Sequence, residues 1–165
     1  MTADNYILFS VAGTDYALPS RDVAHVEMVE QITRVPNAAA FVDGVVFSRG
    51  QVVPAINMRA RFGFERVPLD VSSRLLVVTH RGRSVGLLVD ACREFLLIPP
   101  SSMHAPGDAL TGLSARYVES VASIDGRLIV VLGLDRLLES TDHSVEAAPA
   151  GQGSGEEHGY SETRN

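Results

Sequence analysis

The chain has 165 residues with 14 basic and 20 acidic side chains, which gives a formal net charge of −6. Every basic residue is an arginine, and the sequence contains neither lysine nor tryptophan. The missing lysine excludes P-loop phosphate binding and Schiff-base catalysis, because both depend on a lysine amine. The negative charge disfavours nucleic acids as partners, since their binding depends on concentrated positive charge.

The length fits one ordinary domain, or two very small domains that share a core. Hydrophobic residues make up 45% of the chain and charged residues 21%, a balance typical of globular proteins. The single cysteine, Cys92, excludes an internal disulfide and a multi-cysteine zinc site. No apolar run approaches the roughly 18 residues that a membrane span needs, and we expect a cytoplasmic protein.

Short apolar stretches separated by turn residues predict many strands. In chain order the paired stretches are residues 7–11 with 16–18, 75–78 with 85–89, and 118–124 with 128–132. The last pair flanks Asp125-Gly126, a dipeptide typical of tight hairpins because both residues tolerate a positive φ.

Helices are predicted to be few and short. Capping and stop residues predict a helix at 38–43 between Asn37 and Gly44, one at 58–62 before Gly63, and one at 134–138. The expected fold class is therefore all-β with short helices.

Two blocks of the chain repeat in order. Residues 41–62 align without a gap on residues 117–138, and residues 6–13 align on residues 75–82. This order predicts two similar β-subdomains, each too small to be stable alone and therefore packed against the other.

At one turn position the two copies differ, and the residue in the first copy is not one that a turn requires. Before the shared glycine (Gly50 and Gly126), the second copy has Asp125 and the first has Arg49. A guanidinium fork suits carboxylates and protein interfaces, which makes Arg49 a candidate binding residue. The alternative is a solvated arginine whose ion pair contributes about 0–1 kcal/mol.

The C-terminal segment, residues 140–165, holds most of the negative charge. It contains five acidic residues against Arg164, a net charge of −4, and is rich in Gly, Ser and Glu. Such a segment buries too little apolar surface to offset its ordering entropy. We expect a folded body at residues 1–139 followed by a disordered acidic tail.

Several motifs of the body resemble those of one known family. In order, they are Gln31-Ile-Thr-Arg-Val-Pro-Asn37, Phe41-Val-Asp-Gly44, Ser48-Arg-Gly50 with Val53-Pro54, Arg61-Phe62-Gly63, Gly86-Leu-Leu-Val-Asp90, Leu97-Ile-Pro-Pro100, Tyr117 and Asp125-Gly-Arg-Leu-Ile-Val-Val131. This ordered set resembles the CheW-like domain of bacterial chemotaxis coupling proteins.

The resemblance implies a fold of two intertwined SH3-like five-stranded β-barrels. It also implies a protein that is not an enzyme and binds no cofactor. Its partners would be the signalling tip of a methyl-accepting chemoreceptor and the regulatory domain of a sensor histidine kinase. Its membrane association would be indirect, through receptor arrays.

The resemblance also implies roles for particular residues. Arg49 matches the arginine of the family's Asn-Leu-Arg-Gly motif, which is implicated in receptor and kinase coupling. Gly44, Gly50, Pro54 and Gly86 match positions that shape the barrels and their groove, while Val23 and Val26 match apolar positions lining the receptor-facing groove. Val45 and Val85 are further groove candidates, with core packing as the alternative for all four valines.

Three departures from the family pattern affect this site. Phe47-Ser48 stands where the family has Asn-Leu, Asn57 where an aspartate is usual, and His25 where many members have a glutamate facing the arginine. A neutral His25 could accept a hydrogen bond from Arg49, whereas a protonated one would repel it. A divergent member serving gliding or pilus motility, or one that has lost a partner, is therefore an alternative.

Other classes of function have weaker support in the sequence. Nucleophilic catalysis would need Cys92 or a serine beside a histidine, and the histidines show no metal-ligand spacing, so we expect neither a catalytic nor a metal site. A small β-barrel that binds an unrelated protein or single-stranded nucleic acid is the remaining alternative. Its basic surface would come from arginines 59, 61, 66, 74, 81 and 83, for which solvated loop positions are the simpler interpretation.

Overall fold

The computed structural model describes residues 3–107 and 114–139, so the predicted acidic tail lies outside the described residues. In this part of the chain there are eleven strands and two α-helices. The strands are β1 (Asp4–Val11), β2 (Thr14–Pro19), β3 (Val23–Met28), β4 (Val42–Ser48), β5 (Gln51–Asn57), β6 (Arg74–His80), β7 (Arg83–Val89), β8 (Ala91–Ile98), β9 (Met103–His104), β10 (Val118–Ile124) and β11 (Arg127–Leu132). The helices are α1 (Met58–Arg61) and α2 (Leu134–Glu139).

The strands form two sheets, and one of them takes its strands from both the beginning and the end of the described chain. The five-stranded sheet has the order β3-β6-β7-β5-β4, and the six-stranded sheet has the order β8-β1-β2-β11-β10-β9. The chain starts in the six-stranded sheet, builds the whole five-stranded sheet, and then returns. This confirms the predicted fold class, all-β with short helices and two β-subdomains.

The two sheets are built from equivalent strands. The hairpins β1–β2 and β6–β7 occupy matching places, as do β4–β5 and β10–β11, and in each sheet the two hairpins meet through a parallel pair, β2 with β11 or β5 with β7. The sixth strand is the two-residue β9, whose counterpart is an isolated bridge between Thr33 and Val45. The sequence repeat therefore corresponds to a repeat of topology.

All four hairpins close through two-residue turns in which both residues have a positive φ. The turns are Ala12-Gly13 (51° and 85°), Arg49-Gly50 (48° and 82°), Arg81-Gly82 (54° and 78°) and Asp125-Gly126 (50° and 78°). This geometry matches the right-handed twist of the strands and favours Asn, Asp or Gly at both positions. An arginine at the first position is therefore unusual in both hairpins of the five-stranded sheet.

The largest apolar cluster lies between the two sheets. From β1, Ile7 and Phe9 face this shared core, whereas Tyr6 and Leu8 face a smaller core within the six-stranded sheet. From β6, Leu76 and Val78 likewise face the shared core, whereas Leu75 and Val77 face a smaller core within the five-stranded sheet. Burial on both faces explains why these strands read as continuous apolar runs.

The predicted helix at 38–43 is wrong. Asn37 has a φ of 64°, which suits a turn and not an N-cap, and Val42 already begins β4. Asp43 and Gly44, taken as the end of the helix, lie within that strand. The composition of this stretch suits a helix, but the pairing of Val42 with Ile56 in β5 decides its structure.

The other two helices are confirmed within one or two residues. Asn57 caps α1, because its side-chain Oδ1 accepts a hydrogen bond of 3.0 Å from the backbone N–H of Ala60. Gly63, with a φ of 90°, follows the end of α1. Across residues 3–107 and 114–139, no helix has the length and apolar character needed to cross a membrane.

Candidate functional site

The two edge strands of the five-stranded sheet, β3 and β4, meet through polar side chains. His25 Nε2 lies 3.1 Å from Ser48 Oγ and 2.6 Å from Glu27 Oε2, and the Ser48 hydroxyl donates to the same carboxylate oxygen. Because β3 and β4 stand at opposite ends of the strand order, these contacts show that the sheet curls toward a closed barrel. We call His25, Glu27 and Ser48 the seam cluster.

The seam cluster is a hydrogen-bonded clasp and lacks the geometry of a catalytic triad. In a triad one ring nitrogen of the histidine contacts the nucleophile and the other contacts the carboxylate. Here Nε2 of His25 faces both Ser48 and Glu27. Among the residues with described positions, no three His, Cys, Asp or Glu side chains are grouped so as to hold a metal ion.

Among the described residues, His25 makes no contact with Arg49, so the hydrogen bond that a neutral His25 could have accepted is not formed. His25 is instead held by Ser48 and Glu27. Arg49 lies beyond the end of β4, at the first position of the β4–β5 turn, and is exposed to solvent. Within the described ranges Arg49 has no hydrogen bond or ion pair, so its guanidinium faces solvent.

An apolar surface lies beside this turn. Phe47 and Val52 form a cross-strand pair between β4 and β5 and are 75% and 65% exposed, and Met28 at the end of β3 is 62% exposed. All three line one groove along the seam between β3 and β4. We call Met28, Phe47 and Val52 the seam patch.

The predicted groove valines divide between two places. Val23 and Val26 on β3 are half-buried and pack against the shared core, and Val85 on β7 is only 4% exposed within that core. Val45 lies on the opposite edge, where its backbone exchanges hydrogen bonds of 2.8 and 2.9 Å with Thr33. Val45, Arg49 and His25 therefore border the seam, while Val23, Val26 and Val85 belong to the junction between the sheets.

Two of the predicted glycines are required by close approach. Gly44 has a φ of 145°, and a Cβ there would lie 2.1 Å from the carbonyl oxygen of Thr33. A Cβ on Gly86 would lie 2.7 Å from Leu75 Cδ1. Gly50 differs, because open space surrounds it and only its positive φ of 82° favours glycine.

Asp90 joins the two sheets where β7 leads into β8. Its carboxylate accepts hydrogen bonds from Arg59 Nη2 at 2.8 Å and from the backbone N–H of Ala12 at 2.8 Å. Burial acts to raise the pKa of Asp90, but these hydrogen bonds and the Arg59 charge outweigh it and hold the pKa below its ordinary value. The same bond to Asp90 raises the pKa of Arg59.

The arginines considered for nucleic-acid binding serve mainly within the fold. Arg59 is bound to Asp90, and Arg66 lies 2.8 Å from Asp43. Arg61 is 8% exposed, its guanidinium lies 4.4 and 4.8 Å from two ring centroids, and burial lowers its pKa. These side chains do not line a common basic groove.

Sequence reasoning missed Glu27 and Met28 as parts of this surface. Glu27 could have been found, because residues two apart on a strand share a face and Glu27 follows His25 by two. The approach of Ser48 to β3 depends on closure of the barrel and has no local signal.

Fold and site together define a duplicated β-protein whose candidate site is an exposed turn and apolar seam, the form of a protein-binding module. The chain belongs to the CheW-like domain family, whose family model matches residues 5–142. This confirms the resemblance seen in the sequence. The family consists of adaptor and scaffolding proteins of chemotaxis.

Individual relatives support this membership. The chemotaxis protein CheW of Thermotoga maritima is 31% identical over 124 residues, which cover 72% of this chain and 78% of the relative. CheW of Klebsiella aerogenes is 23% identical over 140 residues, covering 85% and 84%. A crystal structure of the scaffolding protein CheW from Thermoanaerobacter tengcongensis superposes with a TM-score of 0.77 at 31% identity, covering 84% of this chain and 94% of that one.

Proposed function

We propose that this protein is a passive adaptor that couples the signalling tip of a chemoreceptor to the regulatory domain of a sensor histidine kinase. Membership of the CheW-like family supports an adaptor role. The proposal adds the two partners and the residues that contact them. It also places the protein in the cytoplasm, at membrane receptor arrays that it joins only through the receptor.

The main support for the proposal is that Arg49, which is exposed and has a strained backbone conformation, lies beside the exposed seam patch. A non-glycine residue at a φ of 48° is held against a steric preference of about 1–2 kcal/mol. Phe47, 75% exposed, stands two residues before it. An arginine beside a large apolar side chain is the typical composition of a binding hot spot.

The two partners would use different faces of the molecule. The seam patch and Arg49 form a surface on one subdomain, whereas Val23 and Val26 line the junction between the sheets. A kinase domain at the seam and a receptor tip at the junction could therefore be bound at the same time. Each ligand would then bias the other by linkage, and weak contacts would suffice because an array supplies a high effective concentration.

Binding of the purified full-length protein to each partner tests this proposal. Calorimetric titrations would use the kinase regulatory domain and the receptor tip, with wild type, Arg49→Asn and the matched control Asp125→Asn. We expect wild type and the control to bind both partners and Arg49→Asn to lose at least about tenfold for one, equivalent to about 1.4 kcal/mol.

Two outcomes separate the parts of the proposal. If folded wild type binds neither partner, the adaptor function is wrong. If wild type binds both and Arg49→Asn binds them equally well, the function stands and only the role of Arg49 fails.

A further inference from the structure

The seam cluster has an apolar counterpart in the six-stranded sheet. Strand β3 pairs with β6 as β8 pairs with β1, and this register makes Glu27 equivalent to Leu96. The aligned hairpins β4–β5 and β10–β11 likewise make Ser48 equivalent to Ile124. Leu96 and Ile124 both pack against the smaller core of their sheet. The repeat therefore has apolar side chains at these two positions in one subdomain and a carboxylate and a hydroxyl in the other.

The polar groups of the seam cluster are largely removed from water. The side chains of His25 and Glu27 are 16% and 24% exposed, and Ser48 is 4% exposed. Burying a carboxylate has an unfavourable free energy, and an apolar pair of similar volume is often as stable or more stable. Hydrogen bonds, however, fix distances and angles, whereas apolar contacts are non-directional. The cluster is therefore better suited to holding one geometry than to adding stability.

The geometry that the cluster holds includes the turn that carries Arg49. Ser48 is the last residue of β4 and directly precedes Arg49. A backbone bridge between Thr33 and Val45 holds β4 farther from this turn. Val45 lies three residues before Ser48, or about 10 Å along an extended strand. Beyond that bridge, the seam cluster holds the turn end of β4 against β3.

The same contacts join the two halves of the seam patch. Met28 is on β3, directly after Glu27, whereas Phe47 and Val52 are on the β4–β5 hairpin. Strands β3 and β4 stand at opposite ends of the strand order. The two halves therefore form one surface only while the sheet is curled closed, and the seam cluster links the two strands where this surface lies.

We propose that His25, Glu27 and Ser48 are positioning residues, which order the turn carrying Arg49 and join the seam patch into one binding surface. Their directional hydrogen bonds hold the side chains that contact a partner, and they act on binding through Arg49 and Phe47. The effect on binding rests on the proposed adaptor function. The ordering of the turn does not depend on that function, so the two can fail separately.

Backbone relaxation of the full-length protein tests the ordering of the turn without any partner. Glu27→Leu with Ser48→Ile gives this seam the residues of its counterpart, so we expect the double variant to fold and to unfold at no lower urea concentration than wild type. The amide order parameters of the Arg49-Gly50 turn should nevertheless fall from about 0.85 to about 0.6 or lower. Those of the Asp125-Gly126 turn should be the same in both proteins.

Calorimetric titrations with the kinase regulatory domain and the receptor tip separate positioning from a purely structural role. The double variant should bind the partner that uses Arg49 at least about fivefold more weakly and bind the other partner equally well. In an Arg49→Asn background the same two substitutions should weaken binding less, since the side chain that they position is gone. Glu27→Gln keeps an oxygen acceptor for Ser48 and should bind nearly as wild type. Glu30→Gln, at an exposed site of the same groove, removes the same charge and should have no effect.

The outcomes distinguish the parts of the inference. Unchanged order parameters in the Arg49-Gly50 turn would overturn the ordering. Equal losses for both partners, or losses that add to that of Arg49→Asn, would show that the cluster only supports the fold. If wild type binds neither partner, the adaptor function and the effect on binding both fail, while the order parameters still decide whether the cluster holds the turn. Ser48→Ala, which removes the hydroxyl without adding volume, replaces the double variant in every measurement if that variant does not fold.

Discussion

Arg49 illustrates how a single residue can be held in a conformation that the fold tolerates but does not favour. Its φ of 48° places it in the left-handed region at the first turn position, where Asn, Asp and Gly are preferred. The equivalent residue of the second copy is Asp125, at a φ of 50°. The same turn conformation is thus occupied by the conformationally favourable Asp125 in one copy and by the unfavourable Arg49 in the other. This contrast suggests that Arg49 is selected for something other than stability.

Replacing Arg49 by asparagine should therefore separate stability from binding. Arg49→Asn relieves the steric strain, and we expect the free energy of unfolding to rise by about 1 kcal/mol in urea denaturation. The same variant is expected to bind one partner more weakly. Asp125→Asn, the matched control, should change neither quantity appreciably, and a destabilised Arg49→Asn would show that the side chain contributes to the fold.

Gly44 is constrained by contact as well as by conformation. Its φ is 145°, and a Cβ would lie 2.1 Å from the carbonyl oxygen of Thr33, within the bridge that joins Thr33 to Val45. We expect Gly44→Ala to lower the free energy of unfolding by about 2–3 kcal/mol. Gly50→Ala, where the added Cβ meets open space, should lower it by about 1 kcal/mol. Equal losses in urea titrations of the two variants would contradict this account.

Among the elements, the hairpins were predictable from the sequence. The start of β4 and its contact with β3, the other edge strand of the five-stranded sheet, were not. Apolar runs and the Asp125-Gly126 dipeptide are local signals, and they predicted strands that the structure contains. Residues 38–43 have a helical composition, yet they lead into β4 because pairing with β5 outweighs local preference. The seam cluster escaped prediction for the same reason, since the approach of β3 to β4 depends on every intervening strand.

Helix α1 is joined to the second subdomain by an arginine between two rings. The guanidinium of Arg61 lies 4.4 Å from the ring centroid of Phe41 and 4.8 Å from that of Tyr117, and Nη2 donates to the carbonyl of Leu137 at 3.1 Å. A planar cation stacks on aromatic faces in a way that an ammonium cannot. This one side chain therefore ties α1 to the C-terminal part of the fold.

Arg61→Lys should reveal the importance of that stacking. The variant keeps a positive charge but loses the planar contacts, and we expect the free energy of unfolding to fall by about 2 kcal/mol. Thermal or urea unfolding followed by circular dichroism would measure it. Arg66→Lys is the control, because Arg66 is an exposed partner of Asp43 and its replacement should cost less than about 1 kcal/mol. Similar losses for both variants would argue against a special role for the buried arginine.

On the scale of the whole molecule, the two subdomains depend on one another. The six-stranded sheet takes β1 and β2 from the start of the chain and β10 and β11 from near its described end. The shared core then adds a row of rings, Phe9, Tyr16, Phe62 and Tyr117, with successive centroids 6.0, 5.1 and 5.8 Å apart. Neither sheet can lose its structure without exposing this core, so the described body should unfold as one unit.

The hydrogen bonds of Asp90 at the junction between the sheets make the stability of the described body depend on pH. The pKa of Asp90 is held below its ordinary value, so its contribution to stability is fully present above a pH of about 4 and is lost as the pH falls through the folded-state pKa. At pH 7 we expect Asp90→Asn to lower the free energy of unfolding by about 2 kcal/mol, since the bonds to Arg59 and Ala12 lose their charge assistance. At a pH below the folded-state value the gap between wild type and variant should largely close. Urea titrations at both pH values would measure this gap, with Asp125→Asn at an exposed turn as control. A gap that does not change with pH would mean that Asp90 acts through shape and not through charge.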